Sequence, residues 1–135
     1  MLNSGGCIAA SQEFAHALRA VCDASGALLV VDEVMTARLG FHGLLGRYGL
    51  RADLVTLGKF IGGGFPIGAF GASCELMEMY DVRRNGATPH GGSFNNEIFS
   101  MRCGVVALRE LLTDSAMAEM NASGDVLRMS PYTSL

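Results

Sequence analysis

Five consecutive apolar residues, Ala27-Leu28-Leu29-Val30-Val31, lead straight into the acidic pair Asp32-Glu33. A short unbroken run of this kind suits a strand buried on both faces of a parallel sheet. It points to an α/β fold, a mainly parallel sheet flanked by helices. Asp32 falls at the carboxyl end of that strand, the rim where open α/β sheets bind ligands. A second strand is expected over Asp53-Leu54-Val55-Thr56-Leu57, and Gly58 turns the chain so that Lys59 reaches the same rim. Two strand ends thus bring one carboxylate and one amine together.

Lysine is the side chain that readily forms Schiff bases with carbonyl compounds, and a dry, apolar or cationic setting makes its amine nucleophilic. Lys59 lies between Leu57-Gly58 and Phe60-Ile61. An aldehyde cofactor of the pyridoxal type also needs an acid to keep its ring nitrogen protonated, and Asp32 fits that need. Each residue has a plainer reading, Asp32 as a turn former and Lys59 as a solvated surface residue.

The order Asp32-Glu33-Val34-Met35-Thr36, then Thr56-Leu57-Gly58-Lys59 followed by Gly62-Gly63-Gly64 and Gly68, resembles the class III aminotransferases, most of all their glutamate-1-semialdehyde 2,1-aminomutase-like branch. The resemblance implies part of the large domain of the fold type I pyridoxal-phosphate enzymes, over residues 1–128, with a divergent tail at 129–135. It implies pyridoxal 5'-phosphate as cofactor. Asp32 would pair with the pyridine nitrogen, Val34 would pack on one ring face and Lys59 would form the internal aldimine. The substrate would be an amine or amino acid, and the full-length family works as a homodimer.

Thr88-Pro89-His90-Gly91-Gly92-Ser93-Phe94 resembles the family's His-Gly-Gly-Thr-Phe segment, whose hydroxyl reaches the cofactor phosphate of the neighbouring subunit. Ser93 stands in place of threonine and keeps the donor. Glu97 departs from the family's uncharged residue, and a carboxylate there would repel a phosphate. Without the resemblance, Gly-Gly-Ser is an ordinary turn and cap.

Ser11 is a candidate N-cap with Glu13 in the first turn, and Phe14, Leu18, Val21 and Cys22 recur at helical spacing as the face packed on the sheet. Gly26 should end that helix. Residues 37–51 read as a loop with short helical turns, in which His42 has a surface or packing role rather than a catalytic one. The glycines after Lys59 could cradle phosphate or permit close backbone approach. They follow their lysine instead of preceding it, which disfavours a Walker loop, and no dinucleotide fingerprint is present. Residues 67–72 should form a short strand pairing back near the lysine, and Ser73 or Cys74 should start a helix carrying Leu76, Met77 and Tyr80 in the core. A long helix over Glu97–Leu112 should pack through Ile98, Met101, Val105, Leu108 and Leu112.

The 135 residues suit one domain, and the net charge of −3 disfavours nucleic acid or an anionic membrane as partner. No apolar run reaches the roughly 18 residues of a membrane span and no leader is visible, which gives a cytosolic default. The four cysteines are widely spaced and form no metal-ligand pattern with histidine; they read as reduced, buried thiols. The resemblance covers the middle of a family member, so the start at Met1 and the tail Ser130–Leu135 read as truncation or altered splicing. The leading functional reading is a pyridoxal-phosphate aminotransferase or aminomutase. Its alternatives are a catalytically inactive remnant that associates with a full-length relative, and a doubly wound domain for another phosphate ligand.

Overall fold

A computed structural model describes residue 6 and residues 8–130. The thiol of Cys7 and residues 131–135 of the divergent tail lie outside the described residues. Helix α1 spans Gln12–Ser25; the Ser11 hydroxyl accepts the Phe14 amide, and Gly26, in the left-handed conformation, donates its N–H to Cys22 O. Both caps are those that local chemistry demands. Strand β1 is Val30–Asp32, β2 is Leu54–Gly58 and β3 is Gly68–Ala72.

The described sheet has the order β1-β2-β3 and is mixed. β1 and β2 run parallel with Asp32 opposite Thr56, whereas β3 returns antiparallel with Gly68 opposite Gly58. β2 begins one residue later than its apolar run suggests because Asp53 has another task. Its carboxylate accepts the Leu29 amide at 2.7 Å and pairs with Arg19 at 2.6 Å, tying α1 to both strand entrances. These two donors hold the Asp53 carboxyl below the usual carboxylate range.

Two short helical pieces interrupt the loop after β1, a 3₁₀ turn at Ala37–Leu39 and helix α2 at Gly43–Tyr48. His42 packs edge-on against Phe41. Lys59–Gly62 forms a single 3₁₀ turn. Helix α3 at Cys74–Met77 is capped by Ser73, with Leu76, Met77 and Tyr80 half-buried. Helix α4 covers Ile98–Val106 and widens into a π-helical turn at Ala107–Leu111; α5 covers Asp114–Met129.

The packing faces differ from those the apolar spacing predicts. On α4 the buried residues are the small ones, Ser100 and Gly104, followed by Ala107 in the widened turn, while Ile98 is 73% exposed and Met101, Val105 and Leu108 are exposed as well. The helix backbone itself presses on the lysine turn, and only small side chains permit that approach. On α1, Ala15 is buried, and Phe14, Leu18 and Val21 are exposed. β1 is an edge of the described sheet, so its apolar residues are not buried on both faces: Val30 is 55% exposed. Cys22 and Cys103 are half-buried and Cys74 is exposed, all three as free thiols rather than the fully buried ones expected. The protein presents 10106 Å² of accessible surface, against about 6800 Å² for a compact monomer of its mass. No helix among the described residues is long and apolar enough to cross a membrane.

Candidate functional site

Asp32 is the last residue of β1, and Lys59 directly follows the last residue of β2. Because the two strands are parallel and adjacent, both groups stand at one carboxyl rim. Lys59 is three residues beyond the partner of Asp32, at most about 10 Å along the strand. The Val34 amide donates to Asp32 Oδ1 at 2.8 Å, and among the described residues nothing donates to the other oxygen. Lys59 is exposed and has no ion pair among the described residues, so these residues do not form the dry setting its flanking sequence suggests. Val34 packs beside the residue that precedes the lysine: its methyl groups are 3.5 and 3.7 Å from where a Cβ on Gly58 would sit. Gly58 is buried and a Cβ there would also stand 3.1 Å from Ile67 O.

Lys59 has φ of +55°, a left-handed conformation that residues bearing Cβ seldom adopt. The glycines behind it show how it is held. A Cβ on Gly63 would lie 2.5 Å from Cys103 O, and one on Gly104 would lie 2.7 Å from Ile61 O. The lysine turn and α4 therefore meet backbone to backbone. Gly63 and Gly104 serve close packing, and sequence order alone left that open beside phosphate binding.

Sequence reasoning missed Glu33, which is 1% exposed. Its carboxylate accepts the Leu45 amide at 2.7 Å, the Leu44 amide at 3.2 Å and the Thr36 hydroxyl. The available signal was its position: a second acid inside an apolar stretch, three residues before a threonine.

Ser93 is exposed on the segment between α3 and α4, and none of the described contacts joins it to Asp32, Val34 or Lys59. Its neighbours Gly92 and Phe94 line an open cavity of about 1000 Å³ together with Phe70, Tyr80 and His90. Lys59 and Asp32 do not line it. The rings of Phe70, Tyr80 and His90 meet edge-on, 5.3 to 5.9 Å apart, and hold the start of the Gly-Gly-Ser turn against β3. Glu97 is turned away from a ligand-binding role. Its carboxylate accepts the Ser100 amide at 2.7 Å and the Phe99 amide at 3.0 Å, which caps α4 and holds its carboxyl below the usual range.

The family model described as Aminotransferase class-III matches residues 2–130. The chain belongs to the class-III aminotransferases. This aminotransferase chain is 44% identical over 128 residues to a beta-phenylalanine transaminase of Variovorax paradoxus, covering 95% of this chain and 29% of that protein. It is 46% identical over 109 residues to a glutamate-1-semialdehyde 2,1-aminomutase of Pyrobaculum arsenaticum, covering 80% of this chain and 25% of the relative. The crystal structure of the Variovorax paradoxus beta-phenylalanine aminotransferase superposes with a TM-score of 0.86 at 46% identity, over 91% of this chain and 28% of that one. A solved transaminase with PLP bound superposes with a TM-score of 0.84 at 40% identity, over 91% and 29%. The chain thus spans less than a third of the length of these relatives.

Proposed function

We propose that this chain carries the cofactor-anchoring centre of a pyridoxal-phosphate-dependent aminotransferase or aminomutase acting on an amino acid or amino-carbonyl substrate. The observation that carries the reading is that Asp32 and Lys59 stand at the carboxyl ends of adjacent parallel strands, with the Val34 methyl groups against Gly58, the residue before the lysine. The donor set fits the group. A carboxylate with one oxygen unengaged among the described residues suits a protonated ring nitrogen, an amine unpaired among them suits an aldehyde, and a branched apolar side chain suits a ring face. When bound, the cofactor supplies an electron sink for the carbon that loses its proton. Asp32 keeps the proton on the ring nitrogen. Lys59 Nζ would be the attachment point and, when free, the base that takes and returns a proton. Ser93 would offer its hydroxyl to the phosphate of a neighbouring subunit in a homodimer.

The test is incubation with pyridoxal 5'-phosphate, borohydride reduction and mass mapping of the modified peptide. Stoichiometric labelling at Lys59, abolished in Lys59→Ala and weakened in Asp32→Ala, is the expected result. Labelling no higher than in an unfolded control would overturn it.

The large exposed apolar surface favours a second reading, in which the chain is catalytically inactive and associates with a full-length relative. A monodisperse, cooperatively unfolding monomer in sedimentation and urea experiments would argue against that association.

A further inference from the structure

Between the two residues assigned above to the ring nitrogen and the ring face sits Glu33, whose side chain is buried. β1 ends at Asp32 and the chain turns over Val34–Thr36; Asp32 is exposed and Val34 half-buried, whereas Glu33 between them is buried. Every polar group of Glu33 is engaged. Its N–H donates to Thr56 O at 3.0 Å, fixing it to β2, and its carbonyl accepts the Thr36 and Ala37 amides at 3.1 and 2.9 Å. Its carboxylate gathers the Thr36 hydroxyl and the Leu44 and Leu45 amides. Gly43, at φ +64°, makes room for it; a Cβ there would stand 2.8 Å from Oε1. Burying a carboxylate without a cation is costly, and space-filling alone would be served by an apolar residue. A carboxylate accepts three donors from two segments at one point, which fixes direction as well as volume.

We propose that Glu33 is a positioning residue of the cofactor site: it locks the turn from Asp32 to Val34 against α2, so that the Asp32 carboxylate and the Val34 side chain hold their places beside Gly58 and Lys59. The proposal rests on the cofactor reading above for what the turn touches, and on the hydrogen bonds alone for how the turn is held.

Glu33→Gln preserves volume but turns an N–H toward donors. Hydrogen exchange of the cofactor-free chain, followed amide by amide, and titration with pyridoxal 5'-phosphate are the two readouts. The Val34 amide should exchange at least about tenfold faster in Glu33→Gln, and the Kd for the cofactor should rise by at least about tenfold, with labelling of Lys59 at saturation unchanged. A merely structural role lowers the urea midpoint and leaves both Kd and Val34 exchange as in the wild type, and that result would overturn the proposal. If Glu33→Gln does not fold, Thr36→Val removes one donor and should raise both quantities about threefold; no change there is equally decisive against it. If the wild-type chain takes no cofactor, the function reading fails, and Val34 exchange by itself decides whether Glu33 governs the turn.

Discussion

Replacing Lys59 by glycine should leave a more stable chain than replacing it by alanine, although either change removes the amine. Lys59 has φ of +55°, where Cβ crowds the following carbonyl at a cost of about 1–2 kcal/mol. Glycine escapes that cost but loses about 0.5–1 kcal/mol more backbone entropy on folding. The balance favours glycine by about 0.7 kcal/mol. Because the lysine side chain is exposed and unpaired among the described residues, its removal adds little to either variant. Equilibrium unfolding in urea, followed by far-ultraviolet circular dichroism at pH 7 without cofactor, reads the difference. With a slope of about 2 kcal/mol per molar urea, the glycine midpoint should lie about 0.3–0.4 M above the alanine one. Wild type should fall with alanine. An alanine midpoint equal to or above that of glycine would refute the claim that the packing of Gly63 and Gly104 holds Lys59 in a strained conformation. Reduction with borohydride should label neither variant at position 59.

Gly104→Ala should destabilise by about 1 kcal/mol, since the helix propensity it gains is outweighed by overpacking against Ile61 O, whereas Gly124→Ala, with nothing within 4 Å, should stabilise by about 0.5–1 kcal/mol; thermal midpoints measure both. The Asp53 carboxyl is depressed by the Leu29 amide and by Arg19. Its contribution is therefore full above the unfolded value, near 3.9, and is lost as pH falls through the lower folded value. Urea midpoints between pH 2 and 7 should show Asp53→Asn less stable than wild type at pH 7 and flatter on the acid side. Glu97→Ala should speed exchange of the Phe99 and Ser100 amides and lower the thermal midpoint, while Glu97→Asn, which keeps a capping oxygen, should retain most of both.

By itself the sequence determined whatever depends on neighbours in the chain. Ser11 and Gly26 bound α1 because a hydroxyl and a missing Cβ satisfy helix ends wherever the helix lies. The apolar run ending in Asp32, and the turn delivering Lys59, put a carboxylate and an amine at one rim because parallel strands align their carboxyl ends. Periodicity could also say that α1 and α4 own apolar stripes, but a stripe announces only that something covers it. Tertiary structure decided the rest. It set the small residues Ser100, Gly104 and Ala107 inward, since α4 meets the lysine turn at backbone distance through Cys103 and Gly104, and left Ile98 and Phe14 outward with no element among the described residues to cover them. It also buried Glu33 and bent Lys59 into a left-handed conformation. Both outcomes depend on segments ten or more residues away, Leu44 and Leu45 for the first and Cys103 and Gly104 for the second, and no local pattern encodes contacts of that range.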